Sequence, residues 1–440
     1  MDRLSSTHTT PRARAAGLLL NLLLCAAGLT LAQRAEAQDA PAAPPAAAPA
    51  PVAAPAPAPV ETAPAESAPV VTATPAAPPP EVPVAAPAEE PPPPVEEAPA
   101  PKPLSVGAWA HLGTYLNGPD SKMNRVAADG ELDLLFSADL IEGFGMTANL
   151  VGYYGPGATD GYGAHAGGIN IMDLHGKIAI DDAFNIWIGR MLVPSDRANF
   201  SGYWFAAPWF YPGQHFAGPP VGPRQGPQGR NDGVTIWGQA AGGLFKYYAG
   251  AYNLQNTAGT ALFSGRLNIS LINPEPGYYH SSTYYGGKDL LAIGIGGQFQ
   301  KDGSPDAMGE GDYSEFNADI LFEKNFGEGG VLDLEGAFYK YMGESEPVDH
   351  SFLVLASWMT ADEIGIGKIQ PLVRFQSAKT TDTVPPMGPF PAEETSNIFE
   401  GQIGYIIDSY ATRFALGFLY QKAGDAIEDT QLYLGLQLQK

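Results

Sequence analysis

From residue 104 to the end of the chain, apolar and polar side chains alternate in one short segment after another. The segment FNADILFE at 316–323 places three large apolar residues and an alanine on one set of alternate positions, and mostly polar residues on the other. A period of two residues turns successive side chains to opposite faces, as in a β-strand with one apolar and one polar face. The same pattern at 131–140, 263–271 and 432–439 predicts an all-β structure from residue 104 onward.

Sixteen segments in this part of the chain are predicted to be strands. They lie at 104–116, 130–141, 144–155, 167–180, 184–193, 231–242, 244–253, 262–272, 288–301, 311–324, 329–342, 349–360, 364–378, 396–407, 409–422 and 428–440. An even number of alternating antiparallel strands is typical of the β-barrels of bacterial outer membranes.

Two folds share this alternation, and what the apolar face meets distinguishes them. In a soluble β-sandwich the apolar face packs inward, whereas in a transmembrane barrel it meets lipid and the polar face lines water. The even strand number, the alternation that continues to Gln439 and the N-terminal export signal described next favour the barrel. We therefore predict a transmembrane antiparallel β-barrel of about 16 strands, which is wide enough to leave an aqueous channel.

The N-terminus has the three parts of a secretory signal. Arginines within the first 14 residues precede an apolar stretch at 15–32, and the small-residue pattern AEA follows at 35–37. This order predicts a signal peptide over 1–37 that is cleaved before Gln38, and so a location in the bacterial outer membrane. The alternatives are an uncleaved membrane anchor and lipidation at Cys25, the chain's one cysteine; a cleaved signal would leave a mature protein without thiols.

Residues 38–103 consist mainly of proline, alanine, valine and glutamate, without aromatic residues. Such a segment cannot bury enough apolar surface to offset the entropy lost on ordering, so we expect a disordered linker with extended polyproline II character. It is interpreted as a periplasmic spacer, and alternatively as a tether that contacts the cell wall. Because Lys102 is its single basic residue, a tether held by charge is the weaker interpretation.

The charge balance excludes some classes of partner. Residues 104–440 contain 19 Lys and Arg against 37 Asp and Glu, which argues against nucleic acid as a partner and against tight unaided binding of anions. No nucleophile motif occurs, and His175 beside Asp173 offers too few ligands for a metal. We expect a passive protein without catalytic residues, metal or cofactor.

One long connection, 194–230, differs from every other part of the chain. It is rich in proline, glycine and aromatic residues and concentrates arginine in an otherwise acidic protein. Long loops without secondary structure are usually functional. We predict that it narrows the pore, and the candidate constriction or solute-binding residues are Arg190, Asp196, Arg197, Arg224 and Arg230.

The passage FNIWIGRMLVPSDRANFSGYWF at 184–205 resembles the phosphate-selective porins of the O/P family through Gly189, Arg190, Val193 and Pro194. The C-terminal strand TQLYLGLQLQ is also similar. The resemblance implies a 16-stranded barrel that forms homotrimers, with a loop folded into the lumen and basic side chains that guide anions. The loop departs from that family because it contains no lysine, and the chain ends in Lys440 rather than an aromatic residue.

The arginines of the loop have two interpretations, because they either bind anions or pair with carboxylates of the lumen wall. On the predicted polar face, nine acids stand against four bases, which favours a pore without strong anion preference or with a weak cation preference. The candidate wall residues are Lys177, Arg266, Asp319, Asp333, Glu335, Arg374 and Arg413.

The pattern thus favours an outer-membrane porin for small hydrophilic solutes or ions. The alternatives are a phosphate-selective or anion-selective channel and a structural barrel that anchors the envelope through residues 38–103. Aromatic residues near strand ends, among them Trp187, Tyr248, Tyr278 and Tyr339, are interpreted as girdles at the membrane interfaces, or alternatively as a stacking track for sugars.

Overall fold

The computed structural model describes residues 104–118, 126–154, 169–210, 227–253, 260–303, 311–343, 346, 348–381, 394–424 and 427–440. The predicted signal peptide at 1–37, the predicted linker at 38–103 and Arg224 lie outside these residues.

The described residues contain sixteen β-strands and little helix. The strands are β1 Ser105–Asn117, β2 Val126–Ile141, β3 Phe144–Tyr154, β4 Ile169–Asp181, β5 Phe184–Leu192, β6 Arg230–Ala240, β7 Phe245–Tyr252, β8 Leu262–Ser270, β9 Leu290–Gln300, β10 Tyr313–Asn325, β11 Val331–Met342, β12 Val348–Met359, β13 Lys368–Thr380, β14 Thr395–Asp408, β15 Thr412–Ala423 and β16 Ile427–Gln439. The helix α1 is Arg197–Ser201, and single 3₁₀ turns lie at Pro227–Gly229, Ala241–Gly243 and Gly327–Gly329. None of the helices in the described ranges is both long and apolar enough to cross a membrane.

The strands form one closed antiparallel barrel in which each strand pairs with its neighbours in sequence. The ring closes where β1 pairs with β16, with Trp109 opposite Gln439 and Asn117 opposite Gln431. Closure gives every strand two partners, which is how a β-structure satisfies its backbone hydrogen bonds inside lipid. The prediction of an antiparallel barrel with 16 strands is confirmed.

The two faces of the barrel follow the alternation in the sequence. On β10, Phe316 and Ile320 point outward and are 47% and 43% exposed, whereas Asp319 points inward and is 4% exposed. Exposed large apolar side chains recur on the outer face of strands around the barrel. Such a surface suits contact with lipid, while polar side chains line the interior. The barrel is therefore of the transmembrane type, and the sandwich alternative is wrong.

The two ends of the barrel differ in their connections. We call the end where β1 begins and β16 ends the terminus end. Most connections at this end are short turns, at 142–143, 182–183, 241–244, 326–330, 360–367 and 409–411. The connection between β8 and β9 is the exception, because it runs from 271 to 289.

Strand boundaries differ from the predicted ones by a few residues. The predicted strand 364–378 begins only at Lys368, because Ile364 and Gly367 pair with each other in a tight turn, with 2.7 Å from Ile364 N to Gly367 O. The predicted strand 130–141 begins earlier, at Val126. The long connection after β5 spans 193–229, so that Arg230 is the first residue of β6.

Candidate functional site

Residues 193–210, which we call the first inner segment, leave β5 and turn into the barrel. Their first turn is fixed by Asn199, whose Nδ2 donates to Val193 O at 2.8 Å. The helix α1 follows directly, and Gly202, with a φ of 54°, ends it. All five residues of α1 are buried, although the helix lies in a connection between two strands. This segment therefore packs inside the barrel rather than over its rim.

The first inner segment reaches the wall on the far side of the lumen. Trp204 donates from Nε1 to Asp133 Oδ2 on β2 at 3.1 Å, and its carbonyl oxygen accepts from Gln437 on β16 at 3.0 Å. Ala207 O accepts from Arg413 Nη1 on β15 at 3.1 Å. In a ring of 16 strands, β14 and β15 lie nearly opposite β5 and β6. The segment consequently crosses the lumen.

The far end of this segment is held by Trp209. Its backbone N–H donates to Gln402 Oε1 on β14 at 2.7 Å, and its indole stacks on His111 with 3.6 Å between ring centroids. The wall beside the indole is Gly435 of β16, where a Cβ would lie 2.4 Å from the ring. A glycine at an inward position thus provides the space that this tryptophan occupies.

Residues 271–289, which we call the second inner segment, enter the lumen from the terminus end. Glu323 on β10 holds this segment, because its Oε2 accepts from Thr283 Oγ1 at 2.9 Å and its Oε1 accepts from the Gly286 N–H at 2.6 Å. Ser282 donates its backbone N–H to Phe205 O of the first inner segment at 2.9 Å. The two segments, which start from opposite ends of the barrel, therefore meet inside it.

An ion pair joins the two segments where they meet. Arg197 of the first inner segment donates from Nη1 and Nη2 to the two carboxylate oxygens of Glu275, at 2.9 and 2.7 Å, and both side chains are 0% exposed. Tyr284 also donates to Glu275, at 2.6 Å. A bidentate, charge-assisted pair of this kind is strong and directional. We call the Arg197–Glu275 ion pair the interlock.

Electrostatics keep Glu275 ionised in this buried place. Burial alone would raise its pKa, but the adjacent Arg197 guanidinium outweighs burial and holds the pKa of Glu275 well below its usual value. Burial lowers the pKa of His280, which lies 3.4 Å from Glu275, well below its usual value, so this histidine is neutral at pH 7. The charge on Glu275 is therefore balanced chiefly by Arg197.

The wall of β8 and β10 supports the interlock from behind. Arg266 Nη2 donates to Asp319 Oδ1 at 2.8 Å, and Arg197 Nε lies 3.9 Å from the same oxygen. The backbone N–H of Arg197 donates to Asp319 Oδ2 at 3.2 Å. Two arginines thus share Asp319, so that one wall residue holds both a lumen side chain and the first inner segment.

The other residues predicted for the constriction occupy different places. Asp196 is buried and accepts from Tyr339 of β11 at 2.7 Å. Arg230 pairs with Asp173 of β4, with 3.3 Å between Nε and Oδ1. Arg190 does not face the lumen: it lies on the outer phase of β5 and pairs with Asp232 of β6, 2.7 Å away. The alternation of β5 places it there, so its prediction as a lumen residue is wrong.

The predicted wall residues all occupy the inward phase of their strands. Lys177 lies over the Trp187 ring, 4.8 Å from its centroid, and Arg374 pairs with Glu400 at 2.7 Å. Glu335 accepts from Ser282 of the second inner segment. The remaining members, Arg266, Asp319, Asp333 and Arg413, are all buried. The candidate basic residues of the loop and wall that lie within the described ranges contact carboxylates, amide or carbonyl oxygens, or an aromatic ring.

Several aromatic residues predicted to form girdles lie inside the barrel instead. Trp187 stacks on Tyr278 with 4.1 Å between centroids, and both belong to a buried cluster that also contains Tyr248 and Tyr339. The two inner segments supply the apolar partners that cover these rings. The girdle interpretation is wrong for these four residues.

The second inner segment and its Glu275 were missed from the sequence. The available signal was the spacing, because 15 residues separate the predicted strands 262–272 and 288–301, which is more than a tight turn requires. Inward glycines were a further signal: at Gly296 of β9 a Cβ would lie 2.6 Å from Ser195 O, so this position allows the first inner segment to approach the wall.

No family model matches this sequence, and no curated protein matches it. Solved structures do. The high-pH structure of OprB from Pseudomonas putida aligns over 77% of this chain and 94% of its own, with 11% identity and a TM-score of 0.52. OmpF of Salmonella typhi, solved in complex with daunomycin, aligns over 77% of this chain and 97% of its own, with 9% identity and a TM-score of 0.50.

This chain has the fold of outer-membrane porins. At these identities the likeness concerns the fold, and it agrees with the apolar outer face and polar interior described above. A porin-type barrel with a lipid-facing exterior is an outer-membrane protein.

Proposed function

We propose that this porin-type barrel is a passive diffusion pore for small hydrophilic solutes or ions, narrowed from both ends by the two inner segments. The main observation in support of this proposal is the interlock, in which Arg197 and Glu275 join two segments that are each fixed to the barrel wall. A 16-stranded barrel leaves an aqueous interior, and segments anchored inside the barrel reduce the cross-section of that interior.

The proposed path for solutes runs beside the interlock. Its mouth at the terminus end is lined by Asp139, which is exposed, and Lys177, which is partly exposed; both belong to the inward phase of β2 and β4. Residues with both charges at this mouth suit small polar solutes of either sign.

The charges support weak selectivity. Arg197 and Arg230, the described arginines of the long connection, form ion pairs with Glu275 and Asp173. Their positive charge is thereby largely compensated. We propose a slight cation preference, in line with the excess of carboxylates on the lumen face.

The direct test is a planar bilayer experiment with the purified protein. We expect discrete, ohmic current steps, and in a tenfold potassium chloride gradient a reversal potential near zero or displaced toward the cation side. An absence of current steps from folded barrels would refute the pore. A strong anion preference would refute the proposed selectivity.

Anion selectivity is a second candidate that rests on the resemblance to the phosphate-selective porins. It predicts that millimolar phosphate blocks chloride current and that Arg197→Gln and Arg230→Gln relieve the block. Since both arginines have carboxylate partners, we expect no such block.

The remaining proposals concern the whole chain. We propose that residues 1–37 direct export, that 38–103 form a spacer on the terminus side, and that the barrels assemble as homotrimers. Deletion of 38–103 is expected to leave conductance unchanged; if it weakened retention by the cell wall instead, the anchoring alternative would gain support.

A further inference from the structure

A row of basic residues crosses three neighbouring strands on the outer face of the barrel. His350 of β12 lies directly opposite Lys340 of β11 and directly opposite Lys379 of β13. Lys340 shares its outward phase with Phe338 and Met342, which are 44% and 47% exposed. Directly opposed residues have Cβ atoms about 5 Å apart, so the three bases form one continuous patch.

The patch lies at the end of the barrel opposite the termini, near one edge of the apolar band. At the terminus end, exposed Trp358 pairs with Leu332 and stacks on Phe326, as aromatic residues do at a membrane interface. Lys340 follows Leu332 by eight residues along β11, which is about 27 Å at roughly 3.4 Å per residue. With the usual strand tilt this is roughly 20 Å along the membrane normal, close to the height of the apolar band.

The patch contains more basic than acidic side chains. Within the part of the chain that the structure describes, Asp349 is the acid that contacts the patch: its carboxylate contacts Lys340 Nζ and lies 2.6 Å from His350 Nδ1. Asp349 lies where the pairing of β12 with β13 shifts register, between Val348 and His350. Two lysines and a histidine thus stand around one carboxylate in a protein whose sequence carries a net charge of −23. Charges of like sign that lie close together on a sheet are destabilising, and an anion bound between the two lysines would relieve their repulsion.

We propose that this patch, Lys340, His350 and Lys379, binds the phosphate of a lipid headgroup in the membrane leaflet farther from the termini. The lysine side chains extend toward the interface, where headgroup phosphates lie. Phe338, which is the next outward residue of β11 toward the middle of the apolar band and is 44% exposed, contacts the acyl chains of the same lipid. The inference does not depend on the proposed pore, because it concerns only the outer face.

The test measures binding of diphosphorylated lipid A, and of the same lipid with its phosphates removed, to the full-length barrel in detergent by native mass spectrometry. The test variant is Lys340→Gln with Lys379→Gln. We expect its affinity for the phosphorylated lipid to fall roughly fivefold for each lysine, and so on the order of 25-fold for the two. Each basic residue near an anionic membrane surface contributes an attraction equivalent to roughly this fivefold change.

Lys324→Gln is the matched control. Lys324 also faces outward and contacts an aspartate, Asp289, and it is 40% exposed against 42% for Lys340, but it lies at the terminus end. We expect this variant to bind like the wild type, and Lys340→Arg with Lys379→Arg to retain binding.

Three results would overturn the proposal. One is equal binding of the phosphate-free lipid. Another is an equal loss in the Lys324 control, which would indicate nonspecific attraction. The third is complete competition by millimolar inorganic phosphate, which would identify a free-anion site instead of a lipid site. Circular dichroism and heat-modifiable gel mobility verify that each variant retains its barrel.

Discussion

Replacing Glu275 with glutamine removes one charge of the interlock and leaves Arg197 buried. The pair is bidentate, and neither side chain is exposed. Removing one member of a buried ion pair costs about 3–5 kcal/mol, since the remaining charge lacks its partner. Asp319 stays 3.9 Å from Arg197, and Ser281 O still accepts from its Nη1 at 2.9 Å. We therefore expect a cost near the lower limit, about 3 kcal/mol.

This cost should appear as opening of the contact between the two inner segments. At about 1.4 kcal/mol for each factor of ten, 3 kcal/mol raises the ratio of separated to joined segments about 100-fold. The backbone N–H of Ser282, which donates to Phe205 O, reports on that contact. We expect its hydrogen exchange to accelerate about 100-fold and the single-channel current to become larger or noisier.

Two further variants make this prediction decisive. Glu328→Gln in the exposed turn before β11 is the matched control and should change neither measurement. Glu275→Gln combined with Arg197→Met removes both charges and should recover most of the lost protection, because a buried pair replaced as a whole costs little. If exchange at Ser282 and conductance both stayed at wild-type values in Glu275→Gln, the ion pair would not hold the segments together.

Two predictions concern pH and packing. Since the pKa of Glu275 is depressed in the folded protein, its stabilisation is fully present above the usual glutamate pKa and is lost as pH falls through the lower folded value. The difference in Ser282 protection between the wild type and Glu275→Gln should therefore stay constant from about pH 7 to 5 and shrink only in stronger acid. A difference that disappears already near pH 6 would contradict this assignment. Gly435→Val should displace Trp209 and increase conductance, because a Cβ at this position would lie 2.4 Å from the indole, whereas Gly176→Val, with no atom within 4 Å of its Cβ, should not; equal conductance in both variants would argue against the role of Trp209.

The interlock also explains why the arginine content of the long connection is a poor guide to selectivity. Arg197 and Arg230 come from a stretch with a single acid, Asp196, and so read as an anion site. Their partners, Glu275 and Asp173, come from distant parts of the chain. Charge is compensated in space rather than along the sequence.

The sequence by itself determined the barrel, because a lipid-facing strand must place apolar residues at every second position and a closed ring must pair every strand. This local requirement is visible in segments such as 316–323, and it identified all sixteen strands and the inward phase of Asp319 and Arg266. It also located the long connection after β5, since composition changes sharply there.

Only the tertiary structure decided what fills the lumen. The meeting of Arg197 with Glu275 joins residues 78 positions apart that enter from opposite ends of the barrel. No periodicity relates them, because connections do not follow the alternation of strands. For the same reason Trp187 and Tyr278 suggested membrane girdles: an aromatic residue near a strand end has the same sequence surroundings whether lipid or an inner segment covers its ring.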